Sequence, residues 1–260
     1  VKDAQRHGLR VLPVDINRSG GVCTLENFQV RLGLNYVRGL RRSAIEAIIR
    51  LQPFASIDDL ARRTPELRKE EITQLAAIGA LNSIGAEHRR DALWQASRAS
   101  RPAGELLRHV PETSPEAPLR QMSLDERLVA DSMGTGMTIG KHPMAYRRAE
   151  MDKLRVTPAS ALSSVSNGQI VRVAGNVIVR QRPGTAKGVT FISLEDETGI
   201  SNVVIMPDLF KDQRREILTH PWVMVEGRIQ NVDSVIHILA RRISPLANPL
   251  ELGASSHDFH

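Results

Sequence analysis

The most constraining feature of this chain is a series of short apolar segments between residues 185 and 241. Thr185–Gly199 reads as a strand that leaves a glycine-containing hairpin and ends in an acidic turn closed by a glycine. Apolar segments Ile200–Met206, Trp222–Ile229 and Val235–Arg241 follow, with a short helical insert before Trp222. Apolar runs of this length, bounded by turn residues, predict β-strands. Their order predicts a small closed barrel.

This order of strands is that of an OB barrel, whose open face and loops commonly hold single-stranded nucleic acid. We therefore predict a five-stranded OB-fold β-barrel at residues 167–248, with Ile170–Arg182 as its first strand. Candidate contacts to a single strand are three arginines of that strand, a hairpin lysine and one aromatic residue. They are Arg172, Arg180, Arg182, Lys187 and Phe191.

Two alternatives stay open on this face. The three arginines share parity along one strand and therefore a face, unless a bulge at Gly175 breaks the register. Phe191 either packs in the core or stacks on a base. Only 3% of the residues are aromatic, which favours core packing and weak, backbone-dominated binding over tight stacking.

Charge is unevenly distributed along the sequence. The 260 residues carry a formal net charge of +6. Residues 1–100 hold 16 Lys/Arg against 11 Asp/Glu, whereas residues 167–260 hold 10 of each. Attraction to phosphate is therefore expected mainly in the first hundred residues. Most of the cations are arginine, which suits bidentate phosphate contacts, although genome composition explains such a bias equally well.

Residues 33–98 are predicted to be helical, after a short strand-like run at Gly8–Leu12. Ser43 is a plausible N-cap for Ala44–Leu51, and Ser56 is one for Ile57–Arg62. Leu67–Ile78 forms a third helix, ended by a glycine, and Glu87–Arg98 forms a fourth. Residues 99–121 contain several prolines and predict a linker. Residues 123–153 return to helix, with a break around Gly134–Gly140.

Two glycine-bearing turns in this part resemble helix-hairpin-helix elements. In that motif a glycine allows a tight turn, and the next helix offers backbone N–H groups to a phosphate. Gly39 takes the turn position here, but Arg41 replaces the motif's usual second glycine. A plain helical hairpin with solvated arginines is the competing interpretation. The candidate duplex contacts are Arg38, Gly39, Arg41, Arg42, Ser43, Arg68, Lys69 and Gly79.

Several other chemistries lack a sequence basis. There is no phosphate-binding glycine-rich loop and no Gly-x-Ser-x-Gly elbow. The single cysteine, Cys23, excludes an internal disulfide and a cysteine-based zinc site. Acidic residues Glu195–Glu197 predict a capped hairpin turn in preference to a metal site. No apolar run approaches the length of a membrane span, so we expect a cytoplasmic protein with no membrane partner.

The order of these parts resembles the C-terminal region of bacterial C-family (DnaE-like) DNA polymerase alpha subunits, in particular the error-prone branch. Pro13–Ser19 is similar to the end of the family's fingers, and Arg31–Gly39 to the start of its tandem hairpin domain. Pro53–Leu60 is similar to the continuation of that domain. The segments around His142–Met144 and the tail Ser256–His260 are also similar. We therefore expect a piece of a longer protein.

The resemblance implies a multi-domain α + β architecture. A tandem helix-hairpin-helix all-α domain is followed by the five-stranded OB-fold β-barrel. The expected segments are the end of the polymerase fingers (1–32), the hairpin domain (33–100), a linker and helical connector (101–166), the OB domain (167–248) and a tail (249–260).

The resemblance also implies a function. The parent would be a DNA-directed DNA polymerase that acts in damage-induced mutagenesis and uses Mg²⁺ held by carboxylates of an upstream palm. These 260 residues would therefore contain neither catalytic residues nor a cofactor. Primer–template duplex and single-stranded DNA would be the ligands, and accessory mutagenesis proteins the partners. The sliding clamp would be reached indirectly, because Gln121–Leu124 lacks the aromatic residue of a clamp-binding peptide.

Two other functions compete with this one. The spacing of Phe191, Leu194, Asp196 and Gly199 also resembles the OB barrel of synthetases that bind tRNA anticodons. That interpretation leaves the hairpins and Pro13–Ser19 without a role. A non-enzymatic scaffold, whose barrel binds protein, is consistent with the neutral charge of residues 167–260.

Overall fold

The computed structural model describes residues 1–99, 119–232 and 235–247. The chain divides into two compact units, Val1–Gly140 and Lys141–His260. The five segments expected from the sequence are finer than this division, and their boundaries stay a prediction. Most of the linker expected at residues 99–121 lies outside the described residues, as does the tail.

The first unit begins with a short helix and a three-stranded sheet, ordered β1-β3-β2. Val11 pairs in parallel with Val30, and Leu25 pairs with Val30 in antiparallel register. The sequence predicts only a strand-like run near Leu12, so the β2–β3 hairpin is an addition. The elements are α1 (Lys2–Arg6), β1 (Val11–Leu12), β2 (Thr24–Glu26) and β3 (Gln29–Arg31).

Helices build the rest of the first unit, close to their predicted positions. Ser56 caps α3 as predicted, because its side chain accepts a hydrogen bond from the Asp59 N–H at 3.0 Å. The prediction that Ser43 caps α2 is wrong: Arg41 is the N-cap, and Ser43 lies inside the first turn. The helices are α2 (Arg42–Leu51), α3 (Ile57–Arg63), α4 (Lys69–Ala77), α5 (Arg89–Ala99) and α6 (Leu124–Thr135).

One hydrophobic core joins the sheet region to the helices. Ile16, Leu34, Ile48 and Leu75 are fully buried in it. Each of these side chains contributes roughly 1.5–3 kcal/mol of burial free energy. The segment before residue 33 therefore folds together with the hairpin helices.

The second unit is a closed five-stranded barrel in the order β4-β5-β6-β8-β7. Antiparallel pairing links its neighbours, except that β6 and β8 run parallel. The predicted OB barrel, with its helical insert after β6, is confirmed. Its elements are β4 (Ile170–Gln181), β5 (Thr190–Glu195), β6 (Ile200–Ile205), α8 (Pro207–Asp212), α9 (Arg214–Thr219), β7 (Trp222–Val232) and β8 (Val235–Pro245).

Two local features complete the second unit. His142 is the N-cap of helix α7 (Pro143–Lys153), whose methionines form a small cluster with Trp222 and Ala174 on the barrel wall. The acidic turn is capped as predicted: the Asp196 carboxylate accepts hydrogen bonds from the Thr198 and Gly199 N–H groups at 2.7 and 2.9 Å. Within the described residues, no helix is both long and apolar enough to cross a membrane.

Candidate nucleic-acid interface

The first hairpin turn is open to an approaching ligand. Gly39 has a φ of +80°, and a Cβ placed there would meet no atom within 4 Å. The N–H of the preceding residue, Arg38, donates to the Gly134 carbonyl at 2.7 Å, which fixes the start of the turn. Open space above a left-handed glycine is what the close approach of a phosphate requires.

A buried carboxylate holds the start of α2 against the start of α4. Glu71 is 3% exposed. Its Oε1 accepts the backbone N–H of Arg41 at 2.9 Å, and its Oε2 accepts that of Arg68 at 2.8 Å. These two residues are the N-caps of α2 and α4. The positive ends of two helix dipoles therefore lie beside each other.

Arg41 is committed to this carboxylate. Its Nε and Nη2 donate to Glu71 at 3.0 and 2.8 Å, and hydrogen bonding to Glu71 raises the pKa of Arg41. The residue that replaces the motif's second glycine thus braces the interface. The arginine side chain points to Glu71, so replacing the glycine does not cover the start of α2.

The remaining predicted cations are exposed, and the Arg38 guanidinium among them lies against Gly136 at the end of α6. The Arg42 side chain is 92% exposed and forms a solvent-exposed ion pair with Glu46, at 2.9 Å across one helical turn. The side chain of the N-cap residue Arg41 makes no capping hydrogen bond to the first turn of α2. The structure thus brings the predicted residues of the first hairpin together with those at the start of α4. The exposed members are Arg38, Gly39, Arg42, Ser43, Arg68 and Lys69.

The second predicted turn differs from the first. Gly79 has a φ of +81°, but a Cβ there would lie 2.8 Å from the Arg89 Nε. Arg89 in turn pairs with Asp131 at 2.7 Å. Arg89 therefore covers this turn, so of the two predicted turns the one at Gly39 is open to a phosphate.

The three arginines of β4 do not share a face: of the two alternatives that the sequence leaves open, the structure has the broken register. The register with β5 shifts between Val177 and Val179, so Ile178 is the extra residue of the bulge. The bulge therefore lies three residues after Gly175, the position that the sequence suggested. Because a one-residue bulge reverses the alternation of side chains, Arg172 lies on the outer face and Arg180 on the inner one.

The partners of these arginines agree with that geometry. Arg172 donates to Glu226 at 2.7 Å. Arg180 lies opposite the core residue Ile192 and donates to the His220 carbonyl. The Arg182 guanidinium lies 4.6 Å from the centre of the Phe210 ring. Arg180 and Arg182 thus cover one end of the barrel core.

Lys187 and Phe191 are the freer members of the predicted single-strand set. Lys187 is exposed in the β4–β5 connection, where its φ is +48°. Phe191 is 36% exposed, and its strand position lies opposite Gln181 and Val204. Phe191 is not part of the barrel core, so the prediction that it packs there is wrong. Its ring stays available to stack.

Two residues of these surfaces were not predicted. Glu71 belongs to a charged run, Arg68–Glu71. The only sequence feature that could have indicated its role is its position three residues after the N-cap, where an acidic residue commonly takes part in helix capping. Arg155 has a φ of +57° and lines an open polar groove with Thr157 and Arg172. No sequence pattern marks Arg155.

Comparisons with known proteins agree with both folds. A family model described as a helix-hairpin-helix motif matches residues 8–92, and one described as an OB-fold nucleic acid binding domain matches residues 171–246. A crystal structure of asparaginyl-tRNA synthetase from Pyrococcus horikoshii with asparaginyl-adenylate has 20% identity and a TM-score of 0.30. It covers 35% of this chain and 22% of the other, and so weak a likeness supports no argument about function.

Similar sequences extend over the whole chain. A protein named error-prone DNA polymerase from Bordetella parapertussis is 40% identical over 100% of this chain and 26% of its own length. One of the same name from Corynebacterium efficiens is 40% identical over 100% of this chain and 24% of its own length. Along its full length the chain is thus a relative of error-prone DNA polymerases and spans about a quarter of their length, the part that carries a helix-hairpin-helix domain and an OB domain.

Proposed function

We propose that these residues form the DNA-binding region of an error-prone DNA polymerase that acts in the cytoplasm on damaged DNA. The hairpin domain holds the backbone of the primer–template duplex, and the OB domain holds the single-stranded template. Nucleotide transfer, with the Mg²⁺ that it uses, belongs to another part of the parent protein. Among the described residues, no three His, Cys, Asp or Glu side chains are grouped as a metal site requires.

The observation that carries this proposal is the junction at Glu71. It sets two helix N-termini side by side, next to an open glycine turn and exposed cations. Helix N-termini attract anions, and two of them suit successive phosphates of one strand. Such contacts hold a duplex without reading its sequence, as a polymerase requires.

The OB domain contributes differently. Residues 167–260 carry no net charge, so long-range attraction is weak there. The exposed Phe191 and Lys187 offer one stacking surface and one phosphate contact on neighbouring segments. This combination suits a weakly held single strand.

The clamp is reached through accessory mutagenesis proteins in this proposal. Gln121–Leu124 leads directly into α6, where Ser123 and Glu126 form a reciprocal capping box. The Ser123 N–H donates to Glu126 Oε2 at 2.7 Å, and the Glu126 N–H donates to Ser123 Oγ at 3.2 Å. Binding of this segment to the clamp as an extended peptide would break the cap that Ser123 makes.

Salt-dependent binding to a primer–template hairpin tests the duplex assignment. We expect the double variant Arg38→Ala/Arg42→Ala to bind about tenfold more weakly. The slope of log affinity against log salt should flatten by roughly 0.9 for each phosphate that the variant no longer neutralises. Fluorescence anisotropy across a salt series measures both quantities. Arg41 is left intact because its removal would leave Glu71 buried without its partner.

The matched control is Arg50→Ala/Arg62→Ala, which removes the same charge from exposed ion pairs elsewhere on the unit. It should keep affinity within about twofold, because exposed charges that touch no phosphate contribute little. If both variants bound DNA equally weakly, the DNA would be attracted by the overall positive charge of the unit and not by contacts at the Gly39 turn. Tighter binding of tRNA than of DNA by the unaltered chain would favour the synthetase-like alternative.

A further inference from the structure

An aromatic side chain stands alone at the tip of the β2–β3 hairpin. Phe28 is 92% exposed, and Leu25 on the same hairpin is 71% exposed. Fully exposed phenylalanine is unusual on a folded surface, because burying the ring is favourable. Nothing in the duplex or single-strand assignments above uses this residue.

The backbone at the tip is unfavourable for a phenylalanine. Glu26 pairs with Gln29, so the loop contains only Asn27 and Phe28, with φ values of +48° and +61°. Turns of this form favour glycine at their second position. A bulky side chain with positive φ is sterically costly, and such strain concentrates at functional positions. The ring is therefore held outward at a cost to the fold.

The hairpin that carries this ring is rigidly braced. Arg31, which is 5% exposed, donates to both oxygens of Glu26, with Nη2 at 2.9 Å from Oε2. Its Nη1 also donates to the Pro13 carbonyl at 2.9 Å. At the base, a Cβ on Gly33 would lie 2.4 Å from the Val22 carbonyl carbon. The tip therefore cannot fold back to bury its ring without breaking these contacts.

Further backbone hydrogen bonds connect the base of the hairpin to the segment that precedes the Gly39 turn. The N–H groups of Leu34 and Asn35 donate to Gly20 and Gly21 at 2.9 and 3.0 Å. The 3-10 turn that begins at Leu34 leads directly to Gly39. The base of the hairpin and the open turn are thus parts of one braced segment.

Two exposed arginines flank the hairpin. The Arg10 carbonyl accepts the Val30 N–H at 3.0 Å, so Arg10 lies beside β3. Arg18 reaches Glu26 at 3.3 Å and is 61% exposed. Exposed cations beside a hairpin that presents an exposed ring supply the two kinds of contact, to phosphate and to base, that single-strand binders combine.

We propose that Phe28 is a base-stacking residue, which receives an unpaired nucleobase of the DNA held at the Gly39 turn. This inference rests on the proposed DNA-binding function. It adds a contact to a base where the duplex assignment provides only contacts to backbone. The ring and the braced hairpin act together, because a mobile ring would lose more conformational freedom on stacking.

The test uses the 260-residue chain and primer–template DNA with 2-aminopurine placed singly along the template near the junction. Stacking quenches this fluorescence. We expect quenching at one position with the unaltered chain, its loss in Phe28→Ala, and its recovery in Phe28→Tyr. Affinity should fall about fivefold or more in Phe28→Ala. Leu25→Ala is the control for removal of exposed apolar surface and should leave the quenching unchanged.

Phe28→Gly separates binding from folding. It makes the turn dipeptide Asn-Gly, which is favoured in two-residue hairpins, so Tm should stay level or rise while affinity and quenching fall. Unchanged quenching and affinity in this variant, with DNA still bound, would overturn the stacking role and leave the tip as a protein contact. Absence of DNA binding by the unaltered chain would overturn the underlying function as well.

Discussion

At the scale of single residues, the interface depends on the ionisation of Glu71. Burial alone would raise the pKa of this carboxyl. Hydrogen bonds from the Arg41 side chain and from the Arg68 and Arg41 N–H groups have the larger, opposite effect, and the pKa is lowered to about 2. The carboxylate is therefore charged at neutral pH and accepts from both helix starts. A protonated Glu71 would lose most of this acceptor capacity.

This pKa shift predicts acid lability that is specific to one residue. Because the folded-state pKa is depressed, its stabilisation is present above the unfolded value of about 4.3 and is lost as pH falls toward 2. We expect Glu71→Gln to lose roughly 2–3 kcal/mol of unfolding free energy at pH 7 and much less at pH 2. Urea unfolding at a series of pH values measures this difference.

The control for this prediction is Glu46→Gln, at an exposed ion pair with Arg42. It should change the unfolding free energy by no more than about 0.5 kcal/mol at any pH. A difference between Glu71→Gln and the unaltered chain that stays constant from pH 7 to pH 2 would show that Glu71 acts through packing alone.

At the scale of elements, strand β4 sets the register of the whole barrel. It pairs with β7 along its first half and with β5 along its second half, and Gly175 lies in the first. A Cβ on Gly175 would lie 2.4 Å from the Glu195 carbonyl oxygen. The glycine is thus required for the close approach of two backbones.

Gly175→Ala should therefore destabilise the barrel by about 1–3 kcal/mol or more, since backbone atoms must move apart. Gly184→Ala is the matched control, because a Cβ at Gly184 would meet no atom within 4 Å and its φ is not positive. Thermal unfolding followed by circular dichroism measures both. Equal Tm values for the two variants would contradict the assigned register.

Local sequence signals predict the elements well and the site less well. Apolar periodicity and the Ser56 cap were sufficient for the helices and barrel strands, because these patterns act within a few residues. The bulge at Ile178 was missed because bulges depend on the pairing partner. Glu71 was missed because its partner Arg41 is thirty positions away. The exposed ring of Phe28 contradicts turn preferences and so has no sequence signal.

At the scale of the whole molecule, charge and chemistry are divided between two units. Residues 1–100 hold the positive excess, and residues 167–260 are neutral. We therefore expect the hairpin unit to bind duplex DNA with an affinity that depends strongly on salt, and the barrel to contribute short-range contacts. Charge swaps at Arg180 or Arg182 are poor probes of the barrel's ligand, because these side chains cover its core.

A cross-comparison of two variants on two ligands tests this division. Lys187→Glu/Phe191→Ala should weaken binding to single-stranded DNA about five- to tenfold, because it removes one stacking surface and reverses one charge, and leave duplex affinity within about twofold. Arg38→Ala/Arg42→Ala should show the opposite preference. Anisotropy of the whole chain with each DNA, at matched salt, measures all four affinities. Unaltered single-strand affinity in the barrel variant would contradict the proposed single-strand contacts of Lys187 and Phe191, and would favour the alternative in which the OB domain binds protein.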